Sequence, residues 1–313
     1  MKRLLFLSMV LPLLVQPAGS FIKWVDFQIP YESLEYALEV DIATFQEEQH
    51  ISWIDALALA GCRTGGKCEL SAVKQAVRDL KTGASPQTLL GSLSKYYAYY
   101  HDAYSAALGG LVGSYAIEVD GKWVPGYGLK AFSPIAAGFS YSHCADFGAG
   151  RTFGFARKHL GNDLMGSLGT PIVAIEGGTV EALGWNRYGG WRVGIRSFDR
   201  KRYYYYAHLK KDAPYAPGLK EGDTVQAGDV LGFMGRTGYS DTENTNNIDL
   251  VHLHLGLELI FDESQKECDN EIWIDVYNIV RLLHAHRVTL EKEGTSWRRV
   301  YPYRDLDRQR LPV

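Results

Sequence analysis

The sequence predicts an α+β protein, a helical N-terminal region followed by an antiparallel β domain. Two observations carry this. Between residues 31 and 110 apolar side chains recur at spacings of three and four. Beyond Gly109-Gly110 that period fades, and short runs rich in Val and aromatic residues alternate with Gly-rich turn signals. With 313 residues, 46% of them apolar and 22% charged, the chain has material for about two packed domains and is not a disordered polypeptide.

The N-terminus has the layout of an export signal. Lys2 and Arg3 precede a nearly unbroken apolar run, Leu4 to Val15, and Ala18-Gly19-Ser20 offers small residues for cleavage. The run contains Pro12 and is shorter than the ~20 residues of a spanning helix. Residues 1–20 therefore read as a cleaved signal peptide; the alternative is a membrane anchor continuing through Phe21, Ile22 and Trp24. Either places the protein outside the cytoplasm.

Residues 21–112 form the helical region. Leu34, Leu38, Ile42 and Phe45 mark a first helix. Ser52 caps a second, ending near Gly61, and Leu70, Val73, Val77 and Leu80 mark a third, stopped by Gly83. Ser85-Pro86 starts a fourth, which carries Tyr96, Tyr97, Tyr99, Tyr100 and Tyr104, expected as helix-on-helix core rather than a binding surface. Strands are expected at 171–175, 179–183, 191–197, 202–209, 229–232 and 252–260, a last helix at 272–283, and a charged tail at 291–313. Of the four cysteines, Cys62 and Cys68 flank a turn and an exported chain can link them, whereas Cys144 and Cys268 read as buried thiols; with no Cys-x-x-Cys pair, a Cys-rich zinc finger is not expected. Net charge is −3 and no Lys/Arg run tracks a phosphate backbone, so a nucleic-acid partner is not expected.

Two short clusters carry chemistry. One is His159-Leu-Gly-Asn-Asp163 and the other His252-Leu-His254. The second opens an apolar run that reads as a strand, where side chains two apart share a face, so both imidazoles can look into one cleft, one on a metal and one beside it. His159 and Asp163 can meet one metal from a loop or extended turn, with Gly161 permitting tight backbone geometry. This mixture of imidazole and carboxylate suits zinc with a coordination position left open for water. His208 ends the strand Tyr203-Tyr-Tyr-Tyr-Ala-His208, and alternation puts Tyr204 and Tyr206 on its face. His284 and His286 follow a helical segment and diverge, a poor ligand pair. His143-Cys144-Ala-Asp146 is a weaker candidate for a second metal site or a lid ligand.

The run from His159 to Glu258 resembles the lysostaphin-type, or LytM-like, zinc metallopeptidases of bacterial cell walls. The shared motifs are His159-Leu-Gly-Asn-Asp163, Gly169-Thr-Pro-Ile-Val-Ala174, Gly178-Thr-Val180, Tyr206-Ala-His-Leu209, Gly222-Asp-Thr-Val-Gln-Ala-Gly228, Gly235-Arg-Thr-Gly-Tyr-Ser240 and His252-Leu-His254. The resemblance implies a zinc metallopeptidase domain at 113–290, with its core at 155–260. It implies one zinc ion per chain held by His159, Asp163 and His254, with His208 and His252 as the catalytic pair. The implied function is an exported endopeptidase that hydrolyses peptidoglycan stem peptides or cross-bridges. The alternatives are a latent or non-catalytic regulator of wall hydrolases and an exported peptidase of proteins. The helical region is outside the resemblance, and three roles stay open for it: positioning the enzyme, inhibiting it, or binding an envelope protein partner. Two departures stand out: a polar insertion, Asp241 to Val251, before His252, and Gly256 where relatives commonly carry Glu.

Overall fold

The computed structural model describes residues 23–25, 27–266 and 271–310. The export signal or anchor read at 1–20, and Cys268, lie outside the described residues. The chain divides into two compact units, Met1–Ser105 with Asp262–Ile272, and Ala106–Phe261 with Trp273–Val313. Among the described residues no helix is long and apolar enough to cross a membrane.

The first unit is helical. α1 (Tyr31–Thr44), α2 (Trp53–Thr64), α3 (Leu70–Leu80) and α4 (Pro86–Leu90) follow in order, then a 3₁₀ turn (Gly91–Tyr96) leads into α5 (Tyr97–Leu108). α1 buries Leu34, Ala37, Leu38 and Asp41, while Ile42 and Phe45 of the expected stripe are exposed. The buried carboxylate is satisfied: Asp41 accepts the Trp53 N–H at 2.8 Å and lies 3.0 Å from His50 Nε2. Ser52 caps α2 as expected, accepting from Ile54 N–H at 3.2 Å.

The expected stop at Gly61 is not observed; α2 runs to Thr64 and ends on Gly65 in the left-handed conformation, φ 66°. Gly61 is inside the helix for closeness: a Cβ there would lie 2.8 Å from Tyr104 Oη and 3.0 Å from Tyr100 Cδ1. The single fourth helix expected from Ser85 is broken at Gly91, φ 54°. Tyr97 and Tyr104 are buried, as core packing requires, and Tyr99 is exposed. Cys62 and Cys68 are both free thiols, and burial pushes each up to about 11, which makes them poor nucleophiles.

The second unit is built on an antiparallel sheet. Its consecutive neighbours are the His strand (His252–Leu259), the Tyr strand (Arg202–Ala207), Gly190–Ser197, Gly178–Asn186 and Thr224–Val225. The strand Asn162–Met165 also pairs with the His strand, and Ser142–His143 pairs with it in turn. A small sheet joins Pro171–Val173 to Val230–Phe233. Another pairs Val112–Val119 with Lys122–Leu129 and with Tyr303–Asp305 from the charged tail. Lys130 Nζ fixes that tail segment, 3.0 Å from both Asp305 and Asp307. The last helix is shorter than expected: Ile272–Ile274 is a strand and α6 covers only Tyr277–Leu283. The Trp273 ring lies where a side chain at Gly256 would project, 2.6 Å from its Cβ position.

Under the sheet lies a buried ion network. Arg202 donates through Nε to Glu176 Oε2 at 2.7 Å, through Nη2 to Glu176 Oε1 at 3.0 Å and to Asp199 at 2.7 Å, and through Nη1 to the Ala106 carbonyl at 2.7 Å. Tyr204 Oη donates to the same glutamate at 2.8 Å. Arg202→Met is expected to leave Glu176 buried without its counterion and to destabilise the protein by about 3–5 kcal/mol. Chemical denaturation measures this; a loss below about 1 kcal/mol would mean that Glu176 finds another partner.

Candidate metal centre and the histidines around it

Strand pairing assembles the cluster. His254 lies directly opposite Asp163 on one side and Ala207 on the other. Residues opposed in a ladder present their side chains to the same face, so His254 and Asp163 meet by construction. His159 reaches them from the segment preceding Asn162–Met165. Gly161 makes this approach possible, because a Cβ there would stand 2.5 Å from the Leu255 carbonyl oxygen and 2.8 Å from His254 Cε1.

His159 Nε2 is 3.1 Å from Asp163 Oδ1 and 2.7 Å from His254 Nδ1, and His254 Nδ1 is 3.3 Å from the same oxygen. Among the described residues, His159, Asp163 and His254 are the group whose donor atoms all lie within 4.8 Å of one another. Two imidazole nitrogens and one carboxylate oxygen form a donor set suited to zinc. The outer ring nitrogen of His159 supports the fit: Nδ1 lies 3.1 Å from the Asp146 carbonyl oxygen and 3.2 Å from its carboxylate, with Arg151 Nη2 3.0 Å away, and two acceptors against one donor favour hydrogen on Nδ1 and leave Nε2 to the cluster.

The electrostatics match the crowding. Burial works to lower His159, but its hydrogen bonds to Asp146 and Asp163 prevail and raise it to about 9. Burial would raise Asp163, yet hydrogen bonds from His159 and His254 hold it well below the ordinary carboxylate range. His254 is pushed down to about 4 by burial, with the His159 charge adding to it against Asp163.

His208 and His252 stand beside the cluster, their ring centroids 4.8 Å apart, with His208 5.7 Å from His254. His252 Nε2 is 3.7 Å from Asp163 Oδ1. Each has its Nδ1 committed to a carbonyl oxygen, Thr237 O at 2.9 Å for His208 and Leu250 O at 2.9 Å for His252. Both rings therefore keep Nε2 available. Burial, reinforced by His252 and His254, lowers His208 well below the usual range and keeps it neutral.

The expectation that His208 shares a face with Tyr204 and Tyr206 is corrected. Those tyrosines are in the core on Glu176 and the Ile175 N–H, while Tyr205 sets its edge against His254, 5.8 Å between centroids. His208 has φ 62°, so the chain turns at the strand end and swings the imidazole over to the Tyr205 face.

The polar insertion is pinned. Asn244 accepts from Trp191 Nε1 at 2.8 Å and from Asp212 N–H at 2.9 Å, and Gly238 donates to the Thr245 carbonyl at 3.1 Å. Facing it, the hairpin of Gly150–Arg151 with Arg157–Lys158 stacks Phe153 on Tyr239, 4.9 Å between centroids. Of the weaker candidates, His143 packs on Tyr277 away from the cluster, whereas Asp146 reaches His159 Nδ1 with its carboxylate at 3.2 Å. His286 donates to the Ala131 carbonyl at 2.6 Å, and His284 meets Tyr141.

A metal-sized donor set carried by neighbouring strands, rather than by one helix, is the arrangement of a LytM-like metallopeptidase domain. Comparison with known proteins agrees: residues 157–269 match the model of Peptidase family M23. It is 38% identical over 130 residues to the L-Ala–D-Glu endopeptidase of Bacillus subtilis, a match covering 42% of this chain and 38% of that protein. It is 39% identical over 83 residues to lysostaphin of Staphylococcus simulans, covering 26% of this chain and 16% of the relative. The chain thus spans well under half the length of these curated relatives. A solved LytM structure from Ruminococcus gnavus superposes with a TM-score of 0.53 at 25% identity, covering 82% of this chain and 89% of that one. That likeness extends well past residues 157–269.

Proposed function

We propose that this protein is an exported zinc endopeptidase that cleaves peptide bonds of bacterial peptidoglycan, in the stem peptide or the cross-bridge. The observation that carries the reading is the pairing of a three-donor cluster with two histidines beside it whose Nδ1 atoms are anchored on backbone carbonyls. The names of the relatives, an L-Ala–D-Glu endopeptidase and lysostaphin, support the substrate class. The basic and apolar N-terminal sequence supports export.

His159, Asp163 and His254 would hold the ion. When bound, zinc supplies Lewis acidity, polarising the scissile carbonyl and bringing a water to a pKa of about 7. His208 and His252 do the proton work. A neutral imidazole with its Nδ1–H anchored accepts a proton at Nε2 and, once charged, stabilises a developing oxyanion or returns the proton to the leaving amine. The low basicity of His208 favours rapid return of that proton. Tyr205 walls one side of the cleft against His254.

The test is incubation of purified peptidoglycan with the zinc-loaded protein, with products identified by mass spectrometry. New peptide termini that disappear on chelation are expected, and they name the bond. Cleavage of casein with intact wall would instead make it a peptidase of proteins. No cleavage by protein that holds zinc would favour a latent or regulatory role.

A further inference from the structure

Asp146 and Arg151 precede the segment matched by the family model and have no part in the chemistry above, yet both close on the donor cluster. One nitrogen of Arg151, Nη2, lies 2.8 Å from Asp146 Oδ2 and 3.0 Å from Asp163 Oδ2. The same nitrogen stands 3.0 Å from His159 Nδ1, and its two hydrogens are drawn to the two charged carboxylates. Asp146 Oδ1 accepts the Asp163 backbone N–H at 3.1 Å. The Asp146 carbonyl takes the Nδ1–H of His159. The backbone holds this frame in place: Gly148 N–H donates to the His159 carbonyl at 2.7 Å and His159 N–H to the Ala149 carbonyl at 2.8 Å.

The consequence is directional. With Oδ2 of Asp163 engaged by the guanidinium, Oδ1 is the oxygen turned to His159 and His254. Asp146 approaches His159 at Nδ1, on the far side of the ring from Nε2, so it cannot share an ion with that nitrogen. It acts on the ring from outside. Arg151 also neutralises one of two carboxylates that would otherwise repel each other.

We propose that Asp146 and Arg151 are positioning residues for the metal centre, an outer clamp that orients Asp163 and His159 before the ion arrives. The inference rests on His159, Asp163 and His254 being the ligands. Partners of this kind typically contribute about 10–100-fold in metal affinity.

The experiment is competitive zinc titration of the full chain against a chromophoric chelator, comparing the wild type with His254→Ala, Arg151→Met, Arg151→Lys and Asp146→Asn. Cobalt substitution reports the coordination geometry through its visible spectrum. Arg151→Met is expected to weaken zinc binding by about 10–100-fold and to alter the cobalt spectrum, with Arg151→Lys recovering part of the affinity. If Arg151→Met does not fold, Asp146→Asn carries the test, since it keeps the size of the side chain and removes its charge. Wild-type affinity in the Arg151 and Asp146 variants, even with lost turnover, overturns the clamp and leaves the ligand set intact. Failure of the wild type to hold zinc, or unchanged affinity in His254→Ala, overturns the ligand set itself and the clamp with it.

Discussion

His254→Ala is expected to lose zinc and wall-cleaving activity together. Its Nδ1 stands 2.7 Å from His159 Nε2 and 3.3 Å from Asp163 Oδ1, at the centre of the donor set. Loss of a direct donor should exceed the roughly 100-fold upper range for an outer partner. In the ladder His254 lies opposite Asp163 and Ala207, neither of which offers an imidazole in its place. The metal-free variant should remain folded, since the strand keeps its backbone pairing. Zinc content by atomic absorption and melting temperature without metal check both halves. One tightly held zinc per chain in this variant would move the third ligand to another residue, with His252 the first suspect at 3.7 Å from Asp163.

The second large effect is separation of binding from turnover at His208. His208→Ala is expected to keep zinc at wild-type affinity and to lose about 10²–10⁴ in kcat, the usual contribution of a proton-transfer group. Position 208 adds a complication. At φ 62° histidine and alanine alike carry a left-handed strain of roughly 1–2 kcal/mol, so the alanine variant keeps it. His208→Gly removes that strain and should show the same fall in kcat with better stability. Equal metal affinity in both variants, with matching loss of rate, assigns the effect to the imidazole. If either variant releases the metal, His208 belongs among the ligands. A double variant with His252→Ala should be little slower than either single variant, because groups that pass one proton act as a unit.

How much of this was legible in the sequence follows from which interactions are local. His252 and His254 could be placed on one face because a strand fixes the relation of residues two apart. His208 stands beside the cluster, but its face could not be read, because strand alternation does not extend through a residue whose positive φ ends it. Gly61 read as a helix stop because its actual reason, the rings of Tyr100 and Tyr104, lies outside its own helix. The segment after His159 read as a loop because Asn162–Met165 becomes a strand only through pairing with the His strand. Asp146 drew attention for its proximity to His143, yet its contacts run to His159, Asp163 and Arg151. Those contacts depend on how a hairpin closes, which no spacing rule encodes.

One feature of the insertion bears on how such domains are re-engineered. Two backbone carbonyls tie it down, Thr237 just before it and Leu250 near its end, and each receives the Nδ1–H of one of the two histidines. The insertion is thus hung between the two groups that set the protonation pattern of the cleft. A transplant of another domain's loop that begins after Thr237 and ends before Leu250 exchanges the surface offered to the peptide while leaving both tautomers as they are. A transplant that changes the course of the backbone at either residue moves an anchoring carbonyl, and its failure would then be misread as a mismatch with the substrate.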